Sequence, residues 1–137
     1  MDSAHLHRWL RERNALIVKL VAAGTAACDK SGAAAIRSAV ANFLDALVDY
    51  ISAAHFDRFA RLAEHGGAAR ALTRCYPQVA RTTARLIGCH DLLAERSGAI
   101  PAEQMAEHLA RIGMTLEDHF VLEDYVLRAV GEVRRAA

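Results

Sequence analysis

With 137 residues, the chain is long enough to bury a real core and reads as one domain over 1–137. Its 17 basic and 16 acidic residues leave a net charge of +1, so the total charge gives no reason to expect nucleic acid as a partner. Hydrophobic residues make up 53%, many of them Ala, and Pro is nearly absent, which favours an all-helical protein because Ala is the best helix former and a poor core filler.

The segment Met1 to Arg13 is polar and carries its charges within a helical pattern, unlike a secretory signal. The first helix is expected from Ser3, a candidate N-cap, to Ala23, with Gly24 as its stop. Leu6, Trp9, Leu10, Leu16, Ile17, Leu20 and Val21 recur in it at three- and four-residue spacings. After a loop from Thr25 to Gly32, a second helix runs from about Ala33 to a stop at Gly66-Gly67. That is a rod of about 45 Å if unbroken. Its core stripe is Ile36, Val40, Phe43, Leu44, Leu47, Ile51 and Ala54.

Pro suits a first helical turn, so a third helix is expected to start at Pro77, with Val79, Thr83, Leu86, Ile87, His90 and Leu93 facing inward. Ser97-Gly98 breaks it. Pro101 and Glu103 open a fourth helix, whose core face is Met105, Leu109, Ile112, Leu116, Phe120, Leu127 and Val130. It frays near Arg134-Arg135. Four amphipathic helices with short connections predict an all-α, up-down four-helix bundle with long second and fourth helices. No apolar run approaches membrane-spanning length.

One line on the second helix is out of keeping with simple amphipathicity. Asp45, Asp49, Ser52 and Phe56, spaced by four, three and four residues, fall opposite the core stripe. Periodicity alone favours a second face buried against a neighbouring helix. Two features oppose that: Asp is costly to bury unpaired, and a Phe among polar groups has the composition of an interface anchor. An acidic line would suit a basic partner.

Histidine is frequent, with seven residues. His119 and Glu123 share a helical face, with Asp124 adjacent, a spacing that can chelate a metal. His119-Phe120-x-x-Glu123 looks like a helix of hemerythrin-like diiron bundles, which makes an oxygen- or small-ligand-binding bundle the alternative reading. That family needs ligands on each helix. Yet Ala94 stands four after His90 and Phe59 four after His55, while His108 lies about 16 Å from His119. Surface or hydrogen-bonded histidines are therefore expected, with no metal and no cofactor. Cys28, Cys75 and Cys89 lack paired metal spacing and read as free thiols in a cytoplasm. The only adjacent base, His90, points about 100° away from Cys89, so no catalytic residue is expected. Basic residues form no dense patch with interleaved aromatics in the sequence.

Four segments together resemble the Rsd/AlgQ family, bacterial regulators of the primary sigma factor of RNA polymerase. They are Arg8-Trp9-Leu10 with Arg13 and Leu16; Leu47-Val48-Asp49-Tyr50-Ile51-Ser52-Ala53-Ala54-His55-Phe56; Tyr76-Pro77-Gln78; and Phe120-Val121-Leu122-Glu123-Asp124. The second is the specific one, with Ala54 where the family's signature usually has Gly. The resemblance implies a non-enzymatic anti-sigma protein that sequesters the housekeeping sigma factor. It would bind region four, a basic helix-turn-helix, and block its contacts with promoter DNA and core enzyme. It implies sigma contacts at Asp49, Ser52 and Phe56, with Asp45 on the same line. Trp9, His55 and Phe59 are then partner-binding or structural. The expected molecule is cytoplasmic, a monomer or weak homodimer, and touches neither nucleic acid directly nor membrane.

Overall fold

The computed structural model describes residues 3–136, without the side chains of His55, Phe56 and residues 132–136. The described chain is all-helical: five α-helices and one π-helical turn, with no strand among the described residues.

Helix α1 spans Ser3–Cys28 and so passes through Gly24. A lone glycine costs a helix only about 1 kcal/mol. The stop comes at Lys30, which takes a left-handed φ of 52°. The Ser31 N–H reaches back to the Ala26 carbonyl at 3.0 Å and the Lys30 N–H to that of Ala27 at 3.3 Å, the paired bonds of a Schellman cap. Its buried stripe is narrow: Trp9, Leu16, Ala23 and Ala27. Leu10, Ile17 and Val21, expected in the core, are exposed.

Helix α2 spans Ala33–Ala53, and every residue of the expected core stripe, Ile36 through Ala54, is buried. The long second helix is nonetheless not one α-helix. A π-helical turn covers Ala54–Arg58, where the Phe59 N–H bonds the Ala54 carbonyl five residues back, and α3 resumes over Phe59–Leu62. The backbone stays in the right-handed helical region across both junctions, so the rod continues through a widened turn.

Helix α4 spans Gly66–Arg96, which overturns two expectations. Gly66-Gly67 opens a helix instead of closing one, after His65 in an extended conformation, and Pro77 lies inside the helix and not at its start. Val79, Thr83, Leu86 and Leu93 are buried as expected, whereas Ile87 is exposed and His90 half-buried. Helix α5 spans Ala102–Ala136; Met105, Leu109, Ile112, Leu116 and Val130 are buried, with Phe120 and Leu127 packed at the margin.

Two sets of contacts fix how the helices lie. Arg13 meets Glu123 and Asp124, and a Cβ added at Gly113 would lie 3.4 Å from Leu20, so α1 and α5 run antiparallel in close approach. Thr82 meets His119, while Arg70 and Arg74 face Tyr125 and Arg128, so α4 and α5 are antiparallel too. Among the described residues no helix is long and apolar enough to cross a membrane.

Candidate functional site

The core carries a chain of polar side chains that ties α1, α2, α4 and α5 together. Tyr50, one turn before the end of α2, donates its hydroxyl proton to Glu123 Oε1 on α5 at 2.6 Å. The same oxygen of Tyr50 accepts the indole N–H of Trp9 at 2.9 Å. Arg13 extends from α1 and donates to Glu123 at 3.0 Å and to Asp124 at 2.8 Å. Glu123 is 1% exposed, and a buried carboxylate is tolerable only when paired and hydrogen-bonded in this way.

Arg58, in the π-helical turn, is buried as well. It pairs with Glu12 of α1, donates to the Tyr50 carbonyl at 3.3 Å, and stacks 4.5 Å over the Tyr50 ring and 5.3 Å over that of Trp9. Arg13 lies 4.8 Å over Phe120, whose ring meets Tyr50 edge-on at 5.8 Å.

At the other end, the Thr82 hydroxyl donates to the Val79 carbonyl at 3.1 Å, which leaves its oxygen to accept from His119 Nδ1 at 2.8 Å. We therefore assign the ring proton to Nδ1. His119 Nε2 then faces Glu123 Oε2 at 3.5 Å, and neither atom has a hydrogen-bond partner.

This environment shifts three groups. Burial, reinforced by the charge of Glu123 and the hydrogen bond to it, pushes the Tyr50 phenol well above its ordinary value of 10.0. Burial works against the charge on Arg13, but the hydrogen bond to Asp124 and the proximity of Tyr50 and Glu123 prevail and hold it above the usual arginine value. Burial draws Arg58 below that value, with Glu123 opposing.

The acidic line lies elsewhere. Asp45, Asp49 and Ser52 are all exposed on α2, so the second face is not packed against a neighbouring helix. Asp49 also lines a groove of about 360 Å³ between α1 and α2, together with Glu12, Lys19 and Ala46. Phe56 and His55 belong to the π-helical turn, and their side chains lie outside the described residues. Trp9 and Phe59 are buried, at 1% and 8% exposure.

The metal-ligand candidates have other employment. His119 is bonded to Thr82, Glu123 to Tyr50 and Arg13, and Asp124 to Arg13. Among the described residues no three His, Cys, Asp or Glu side chains are grouped to hold a metal ion.

Comparison with known proteins agrees in one direction. Residues 2–131 match the family model described as regulator of RNA polymerase sigma(70) subunit, Rsd/AlgQ. A regulator of sigma D from Shigella dysenteriae serotype 1 is 32% identical over 136 residues, covering 93% of this chain and 84% of that protein. Its namesake from Escherichia coli O127:H6 is 31% identical over 138 residues, covering 95% and 85%. That from Enterobacter sp. strain 638 is 32% identical over 127 residues, covering 88% and 76%. No solved structure matches the chain. Nothing in these similarities supports a hemerythrin-like protein. With nearly every residue inside the matched span, the chain belongs to the Rsd/AlgQ family of regulators of the RNA polymerase sigma(70) subunit.

Proposed function

We propose that this protein is a non-enzymatic anti-sigma factor of the bacterial cytoplasm: a single up-down helical-bundle domain that binds the primary sigma factor and keeps it from RNA polymerase. Its partner element would be region four, whose contacts with promoter DNA and core enzyme are blocked while it is held. The binding face is the line Asp45, Asp49, Ser52 and Phe56.

The observation that carries this reading is the exposure of Asp45, Asp49 and Ser52 along one line of α2 in a member of a sigma-regulator family. Carboxylates there keep their hydration until a partner arrives, and a basic helix-turn-helix supplies the opposite charge. The buried network plays a different part. It locks α2 to α1 and α5 beside the line, since Tyr50 follows Asp49 in the chain and points about 100° away from it, into the core. A rigid ridge presents its charges with little ordering cost on binding.

The test is a titration of the full chain with a purified region-four fragment, for wild type, Asp49→Ala and Phe56→Ala. The expected result is weaker binding by both variants with helicity and unfolding midpoint retained. Wild-type affinity in both would show that the fragment docks elsewhere.

A further inference from the structure

The outer face of α4 is unusually one-sided in charge. Between Glu64 and Asp91 the sequence contains no Asp or Glu but has Arg70, Arg74, Arg81 and Arg85. Their spacings of four, seven and four residues put all four within about 60° of one another on the helix, in a line about 22 Å long. All are exposed, and among the described residues none has an ion-pair partner. The sequence pattern alone suggested no dense basic patch; the uninterrupted helix through Pro77 is what aligns the two halves of this one.

The line borders a groove between α4 and α5. Its first part, of about 470 Å³, lies between Arg70 and Arg74 on one side and Tyr125 and Arg128 on the other. Its second, of about 340 Å³, lies between Arg81 and Arg85 and the pair Asp118 and Val121. Asp118 is the one carboxylate among the lining residues described. The α5 side is apolar for a surface: Val121 is 63% and Tyr125 42% exposed. The helix start at Gly66-Gly67 adds its positive dipole end at the mouth of the first part.

We propose that the α4–α5 groove is a second docking surface, distinct from the acidic line on α2, and that its occupant is an acidic amphipathic helix of another protein. The length accommodates about 15 residues of helix. Glutamates on one face of such a helix meet the arginines at four-residue intervals, and guanidinium–carboxylate pairs are the stronger for being bidentate. Its apolar face covers Val121 and Tyr125, the arrangement of a helix laid in a groove. A nucleic-acid strand fits less well: one aromatic stands in the groove where a stacking series is needed, and Asp118 repels phosphate. The charge is opposite to that required by a basic region four, so the inference does not rest on the sigma reading.

The experiment uses the full chain and fluorescence anisotropy. The probes are a labelled helical peptide of about 15 residues with Glu at four-residue intervals beside a Leu face, its Lys-for-Glu counterpart, and a labelled single-stranded oligonucleotide. The Glu peptide is expected to bind, more weakly as salt rises, and the Lys peptide not to bind. Arg81→Glu with Arg85→Glu is expected to weaken binding by about tenfold or more, and so is Arg70→Glu with Arg74→Glu. Lysine at the same positions keeps most of the binding, which separates loss of charge from loss of fold, and circular dichroism checks each variant. No binding of the Glu peptide, binding unchanged by both reversals, or tighter binding of the oligonucleotide lost on the same reversals would overturn the proposal.

Discussion

Tyr50 and Glu123, 73 residues apart in the chain, share a 2.6 Å hydrogen bond in the core, and that bond joins the end of α2 to α5. Glu123 Oε1 accepts from Arg13 as well, and the Tyr50 oxygen accepts from Trp9, so neither group can be removed without stranding another. Tyr50→Phe is expected to cost about 1–3 kcal/mol. Glu123→Gln is expected to cost about 3 kcal/mol, the lower end for breaking a buried ion pair, because Arg13 keeps Asp124. The double variant should cost less than the sum by about 1 kcal/mol or more. Urea denaturation of the four proteins measures this; strictly additive losses would mean that the two side chains do not act as a unit.

The same geometry gives a pH dependence. The Tyr50 phenol is held above its ordinary 10.0, chiefly by burial and then by Glu123, so the folded protein keeps a proton that the unfolded chain releases. The stabilisation is complete below pH 10 and is lost as pH rises beyond it, because there the unfolded state binds fewer protons than the native one. The slope contributed by one such group is about −1.4 kcal/mol per pH unit. Between pH 9 and pH 11 the wild type should therefore lose more unfolding free energy than Tyr50→Phe, which has no phenol to titrate. Equal losses in the two proteins would remove Tyr50 as the source.

Much of this was open to the sequence. The core stripe of α2 follows 3.6-residue periodicity to its end, and Asp45, Asp49 and Ser52 opposite it are exposed. Breakers misled where local preference was weaker than context: Gly24 sits inside a helix, Gly66-Gly67 starts one, and Pro77 is carried within one. The π-helical turn leaves no mark in the sequence: Ala54 and Arg58 at its ends keep right-handed helical dihedrals, and the Phe59 N–H bonds to the fifth residue back. The narrow core face of α1 was missed because Ala23 and Ala27 fill it, and alanine is silent in a hydrophobic pattern dominated by Leu, Ile and Val. The polar network did leave a signal. Tyr50 falls on the core side of α2, and His119 and Glu123 fall on the core side of α5, where a titratable group requires partners. What periodicity could not supply was which partners: Arg13, Arg58 and Thr82 come from other helices.

Trp9 tests the division between scaffold and surface. Its indole is 1% exposed, donates to Tyr50 and lies under Arg58. Trp9→Phe should cost about 1 kcal/mol for the lost hydrogen bond, and Trp9→Ala about 3–5 kcal/mol for the cavity. Neither should alter the affinity of the fraction that remains folded for a region-four fragment. A variant of normal stability but reduced binding would return Trp9 to the interface.

Asp45 and Asp49 should behave in the opposite way. Both are exposed on α2, and among the described residues no hydrogen bond or ion pair engages either side chain. Substituting Asn for both should leave stability within about 0.5 kcal/mol of wild type. Charges at the edge of an interface act mainly by steering encounter, so the double variant should associate more slowly while dissociating at nearly the wild-type rate. Its association should also depend less on salt, because fewer charges remain to be screened. Stopped-flow mixing with a region-four fragment at low and high ionic strength separates the rates. A change confined to dissociation would mean that the aspartates are desolvated at the centre of the contact, and would move the anchor of the interface from Phe56 to Asp49.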